Sequence, residues 1–174
     1  FAYEKNFTLR PTYYYANPAN PIGLATDASH AQYWEAMQPF IQECLGLPYL
    51  WGGSSPAEGG LDCSGYVSYV LRNVGLISGR GSAQTLYDMC TKTDNPQPGD
   101  LVFFQGTYDT PGISHVGIYA GDGMMYHSGD PNTLASFNTS FWQSHFVGYG
   151  TLISSSSSAS SGVAGYSQED LELI

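Results

Sequence analysis

The chain has 174 residues, 42% of them hydrophobic and only 11% charged, with 15 acids against 5 bases and a formal net charge of −10. That length suits one domain with tails to spare, and the acidic balance weighs against a nucleic-acid backbone or an anionic membrane surface as partner. No apolar run approaches the roughly 20 residues that span a bilayer, and the three cysteines show neither CxxC zinc spacing nor the even count of a disulfide framework.

Residues 1–27 carry Pro11, Pro18 and Pro21 and read as an irregular N-terminal extension. The start at Phe1 reads as processed or trimmed, with any targeting segment removed. From Ala28 to Leu45 the apolar residues Tyr33, Met37, Phe40, Ile41, Cys44 and Leu45 recur at helical spacing. Asp27 or Ser29 can cap this helix, Gly46 and Pro48 stop it, and Pro39 predicts a kink or a break. Its apolar stripe assigns it to the core, a lid over a cleft being the alternative. Pro48–Gly53 and a Ser/Pro/Gly loop lead to a second helix after Asp62. There Val67, Val70, Leu71 and Val74 share a face and Gly75 closes the element. Ser82–Met89 is a short helix candidate.

Past Pro96 the period switches to two. Leu101–Phe104 reads as a buried strand, and Val116–Ala120 and Met124–Ser128 form a hairpin about Gly121-Asp122-Gly123. Phe146–Ile153 is a further strand. Helices first and strands later predict an α+β domain on an antiparallel sheet, spanning 28–153. Residues 154–166 read as a Ser-rich flexible linker, and 167–174, with Ser167 ahead of Glu169 and Asp170, as the start of a further helix or domain. The chain therefore reads as a monomeric part of a larger multidomain protein.

The chemistry concentrates at Asp62-Cys63-Ser64-Gly65, where a Gly-rich loop delivers a cysteine to the first turn of a helix. The helix N-terminus there favours a thiolate, and its N–H groups can hold an oxyanion. A small buried residue starting a helix is the competing reading, level with the first once polar Asp62 and Ser64 are weighed. Cys44 and Cys90 read as small buried hydrophobes, with a disulfide between them as the alternative. A nucleophilic thiol needs a base. His115 begins one strand of the hairpin and His127 ends up across from it, so one imidazole can serve as base and the other can orient it. Zinc is a competing use of the pair, with Asp109 or Asp130 as further ligands, but the helix-start cysteine favours thiol chemistry. His30 and His145 read as ordinary, satisfied histidines.

Five blocks in order carry a resemblance: Leu47-Pro48-Tyr49-Leu50-Trp51-Gly52-Gly53, Gly60-Leu61-Asp62-Cys63-Ser64-Gly65-Tyr66-Val67, Gln97-Pro98-Gly99-Asp100-Leu101-Val102-Phe103-Phe104, Ser114-His115-Val116-Gly117-Ile118-Tyr119 and Met124-Met125-Tyr126-His127. Together they resemble the NlpC/P60 family of cell-wall peptidases, a papain-like group. The resemblance implies a papain-like α+β fold, with helices packed on a central antiparallel sheet and the nucleophile at a helix N-terminus. It assigns Cys63 as nucleophile, His115 as general base and His127 as the residue orienting it. Tyr49 would assist the oxyanion site, and Asp62, Ser64 and Trp51 would contact substrate. It implies a secreted or cell-surface enzyme of the bacterial wall that needs no cofactor or metal and hydrolyses peptidoglycan stem peptides, typically at the γ-D-glutamyl bond to the diamino acid. An inactive wall-binding module, or an amidase or acyltransferase on the same scaffold, stands as the alternative. The loops Ser54–Leu61 and Gly106–Gly112 are longer than in many members and are expected to border the cleft.

Overall fold

The computed structural model of the chain describes residues 29–153; the N-terminal extension, the serine-rich linker and the final helix start lie outside the described residues. Helix α1 runs from His30 to Cys44. Of the two cap candidates Ser29 takes the position, in a reciprocal capping box: its hydroxyl accepts from the Gln32 N–H, and the Gln32 side chain accepts from the Ser29 N–H at 2.8 Å. The break expected at Pro39 does not occur, and the proline lies inside one continuous helix. A mid-helix proline costs about 3 kcal/mol. Tyr33, Ala36 and Met37 before it and Phe40, Ile41 and Cys44 after it are all buried, and each large side chain contributes about 1.5–3 kcal/mol by leaving water. Tertiary burial on both sides of the proline therefore wins. These residues belong to the main core, so α1 extends the core rather than covering a cleft.

Helix α2, Cys63–Asn73, buries Tyr66, Val67, Val70 and Leu71 on one side. The Tyr66 hydroxyl donates to the Ile41 carbonyl at 2.9 Å and pins α2 to α1. Gly75 takes a left-handed φ of 84°, and the Leu76 N–H returns to the Leu71 carbonyl at 2.9 Å, the closing bond of a Schellman motif. Helix α3, Ala83–Met89, is capped by Ser82 and buries Leu86.

A two-stranded ribbon, β1 (Ser54–Ser55) and β2 (Gly60–Leu61), precedes α2. The main sheet comprises β3 (Thr91–Thr93), β4 (Leu101–Gln105), β5 (Ile113–Gly121), β6 (Met124–His127), β7 (Thr133–Ser136) and β8 (Phe146–Thr151), with the short helix α4 (Ser140–His145) between the last two. Its order is β3-β8-β4-β5-β6-β7, antiparallel at every pairing. This is the α+β architecture the sequence predicts, with the hairpin β5–β6 in place. Strand alternation divides the sheet into two faces. Leu101, Phe103, Val116 and Ile118 join the helices in the main core. Val102, Phe104 and Met125 point the other way into a smaller aromatic cluster with Phe137. Asp100, buried at the head of β4, accepts from His30 at 2.9 Å and so ties the start of α1 to the sheet.

Candidate active site

Cys63 opens α2, and the segment around it is held mainly by one carboxylate. Asp62 is the N-cap residue, and its Oδ1 accepts from the Gly65 N–H at 2.8 Å. Its Oδ2 accepts from the Gly52 N–H at 2.9 Å, and Arg80 donates to both oxygens at 2.8 and 2.9 Å. Arg80 also donates to the Ser64 hydroxyl at 3.3 Å. The backbone crossings here need glycine: a Cβ on Gly65 would lie 1.9 Å from the Gly53 carbonyl oxygen, and one on Gly53 would lie 2.2 Å from that of Gly60. The Tyr49–Gly53 segment is thus locked against the start of α2.

The imidazoles come from the β5–β6 hairpin. Ile118 pairs with Tyr126, and continuing that register by one residue sets His127 opposite Gly117. His115 is two residues further along β5 on the same face, a diagonal neighbour within reach of an aromatic side chain. His115 Nε2 and His127 Nδ1 are 3.0 Å apart, in hydrogen-bond contact. That bond commits Nε2 of His115 and leaves its Nδ1 for a partner. The indole of Trp142 packs against both rings, with centroids 5.0 Å from His115 and 5.4 Å from His127.

The end of β6 brings the two sides together. Past His127 that strand stops, and the edge of β5 beyond it turns to the thiol: Cys63 Sγ lies 3.9 Å from the Ser114 carbonyl, and the Val116 N–H also points at the sulfur. The loop leaving β6 fastens the thiol segment to the hairpin. The Ser128 hydroxyl lies 2.7 Å from the Leu61 carbonyl, Asn132 bonds the Leu47 and Cys44 carbonyls, and Asp130 accepts from the Tyr49 N–H at 3.2 Å.

Burial sets the protonation of these groups. It lowers His115 to about 3, with a further push from His127, and lowers His127 to about 4. Both rings are neutral at pH 7. The Cys63 thiol is pushed up to about 11 by burial and then by the Asp62 carboxylate; the Val116 and Ser64 N–H groups and Arg80 pull the other way without prevailing. This corrects the expectation of a thiolate favoured by the helix N-terminus. The dipole and N–H groups act there, but desolvation of the sulfur outweighs them, and the resting pair is thiol and imidazole. Tyr49, raised to about 12 mainly by burial, keeps its hydroxyl proton as a donor.

A cavity of about 410 Å³ opens over the sulfur. Its wall includes Tyr49, Trp51, Asp62, Cys63 and Ser64 of the expected site, joined by Arg80, Gln84, Tyr108 and Ser114. His115 and His127 are not part of that wall. Asp62 and Ser64 are buried at its base, whereas Trp51 is 70% exposed at its rim and meets the Tyr108 ring edge-on at 5.8 Å. The loop 106–112 does border the cavity, through Tyr108, Thr110 and Pro111. The loop Ser54–Leu61 contributes no wall residue; it folds back on itself as the β1–β2 ribbon.

Sequence reasoning missed Arg80 and Trp142. Arg80 carried one signal, a cation in a Gly-flanked loop just ahead of a helix cap, and Trp142 carried none. Among the described residues no three His, Cys, Asp or Glu side chains group to hold a metal ion. His30 bonds Asp100 and His145 bonds the Gln105 carbonyl at 2.8 Å, so both are satisfied as expected. The three cysteines are free thiols, Cys44 and Cys90 buried and unpaired by any disulfide.

The model of the NlpC/P60 family matches residues 46–151. The chain is 41% identical over 123 residues to the bifunctional muramidase/DL-endopeptidase CwlT of Bacillus subtilis, covering 69% of this chain and 37% of that protein. It is 39% identical over 117 residues to a gamma-DL-glutamyl hydrolase of the same organism, covering 63% of this chain and 28% of the relative. Among solved structures, a lipoprotein-like protein of the NLP/P60 family from Staphylococcus aureus superposes with a TM-score of 0.66 at 32% identity, covering 71% of this chain and 42% of that one. The chain thus spans well under half the length of these relatives.

Proposed function

The chain belongs to the NlpC/P60 family, and from that premise we propose that it is a cysteine endopeptidase that hydrolyses peptidoglycan stem peptides at the γ-D-glutamyl bond to the diamino acid. The names of two relatives, a DL-endopeptidase and a gamma-DL-glutamyl hydrolase, support the choice of bond. We also take it to act at the cell surface or outside the cell, where that substrate lies, as one domain of a longer protein. No described helix is long and apolar enough to cross a membrane.

The observation that carries the reading is the His115–His127 hydrogen bond on a strand whose preceding residue, Ser114, sets its carbonyl 3.9 Å from the sulfur of Cys63 at the head of α2. Because thiol and imidazole are both neutral at rest, His115 acts as a general base: it takes the thiol proton as Sγ attacks the carbonyl carbon. His127 holds the ring through Nε2, which leaves Nδ1 of His115 to take the proton. The oxyanion of the tetrahedral intermediate is held by the Cys63 N–H and the Tyr49 hydroxyl. His115 then protonates the departing amine, leaving a thioester on Cys63. Water activated by the same imidazole hydrolyses it and restores the thiol. Asp62 and Ser64, at the base of the cavity, and Trp51, at its rim, contact the stem peptide.

Digestion of purified peptidoglycan with product masses tests this. Fragments ending at D-glutamate with a new amine on the diamino acid are expected, and none from Cys63→Ala. Cleavage at the sugar–peptide junction would instead make the protein an amidase. Binding without any release would make it a wall-binding module.

A further inference from the structure

Helix α4 is six residues long and has no fully buried residue, and it meets the smaller aromatic cluster through Trp142. It is nevertheless fastened at both ends. Thr139 caps it, the Gln143 side chain donates to the Phe137 carbonyl at 2.9 Å, and His145 bonds the Gln105 carbonyl at 2.8 Å. What this anchoring holds in place is one indole. Trp142 packs on Phe104 at 4.7 Å, lies at 32° over the His115 ring and meets the His127 ring at 84°. The imidazoles cross each other at 76° with centroids 5.1 Å apart. The three rings therefore brace one another, and Phe104 backs both His115 and Trp142.

We propose that Trp142 is a positioning residue for the imidazole pair, its indole holding His115 and His127 in hydrogen-bonding register and keeping water off both rings. The proposal rests on the peptidase reading but does not need hydrolysis for its test. Two effects of an indole on an imidazole oppose each other. Its face attracts an imidazolium, whereas excluding water disfavours the charged ring. Burial is the first cause holding both rings below the ordinary histidine range, with His127 adding to it at His115, so exclusion of water prevails over that attraction. Other titratable groups on the surrounding elements are Cys63 on α2, Tyr119 on β5, Tyr126 on β6 and His145 on α4, the last tied to Gln105. Asp62 is paired with Arg80 and Asp130 with the Tyr49 N–H. Removing the indole leaves these groups in place and admits water.

The test is a histidine ring NMR titration in the Cys63→Ala background, where turnover plays no part. Trp142→Leu, which stays apolar but loses the ring, should move the titration midpoints of His115 and His127 upward by about one pH unit or more toward the ordinary histidine range. Trp142→Phe, which restores a ring, should return them most of the way. In the active background, the acid limb of kcat/KM, normalised to thiol titre, should rise in the same order. Midpoints unmoved in a folded Trp142→Leu protein, or a Phe variant no closer to wild type than Leu, would overturn the proposal. Failure of the peptidase reading would show separately, as wild-type protein that releases no muropeptide while the titrations still shift.

Discussion

The two halves of the candidate site are built from opposite materials. The thiol side is polar and assembled from loops: Asp62 gathers Gly52, Ser64, Gly65 and Arg80 onto one carboxylate, and glycine at 53 and 65 lets the backbones cross closely enough to be gathered. The imidazole side is aromatic and assembled from a sheet face, where Phe104, Trp142 and the two histidine rings pack against one another, tilted or edge to face. One side fixes position by directional hydrogen bonds. The other fixes position by packing and at the same time sets charge, because the rings that hold the imidazoles also dry them. It follows that damage to the thiol side should appear as lost geometry and stability, and damage to the imidazole side as altered pH dependence.

The largest effect is expected from Asp62→Ala. It removes a helix cap worth about 1 kcal/mol, leaves the Gly52 N–H without its acceptor at a further 1–3, and frees Arg80 from its partner. Chemical denaturation should show a loss of about 2–4 kcal/mol, with hydrolysis abolished. A loss under about 1 kcal/mol would mean that the loops hold themselves and that the contrast drawn above is wrong.

The next effect belongs to the other side. His127 titrates near 4 when folded and at about 6.5 when unfolded. Below 6.5 the unfolded chain binds the proton that the folded one refuses, so its contribution is fully present above pH 6.5 and lost as pH falls toward 4. Urea unfolding between pH 6.5 and 4.5 should lose roughly 2–3 kcal/mol from this residue. In His127→Gln the slope over that window should flatten by about that amount. An unchanged slope would show that the ring is wet.

The same contrast explains what could be read in advance. The thiol segment was legible because Asp62 directly before a helical apolar pattern is a local signal. The paired histidines were legible because a Gly-Asp-Gly turn between alternating strands fixes a hairpin. The two edge strands were not: Thr91–Thr93 and Thr133–Ser136 contain no buried residue, so they lack the inward alternation that marks a strand. Helix α4 is too short to show a period. The Asp62–Arg80 pair joins residues 18 apart through a loop with no pattern of its own. The charge state of Cys63 was misjudged because a sequence displays the helix start that favours a thiolate but not the burial that opposes it.

The central claim is that Cys63 carries the acyl group through a thioester, and the most direct measurement is intact-protein mass after mixing with a stem-peptide substrate and quenching in acid. The account predicts an adduct with the mass of the acyl half of the substrate, ending at D-glutamate and mapped to the peptide that contains Cys63. Cys63→Ala should show neither adduct nor product. Turnover by Cys63→Ala, or an adduct on Cys44 or Cys90 instead, would contradict it.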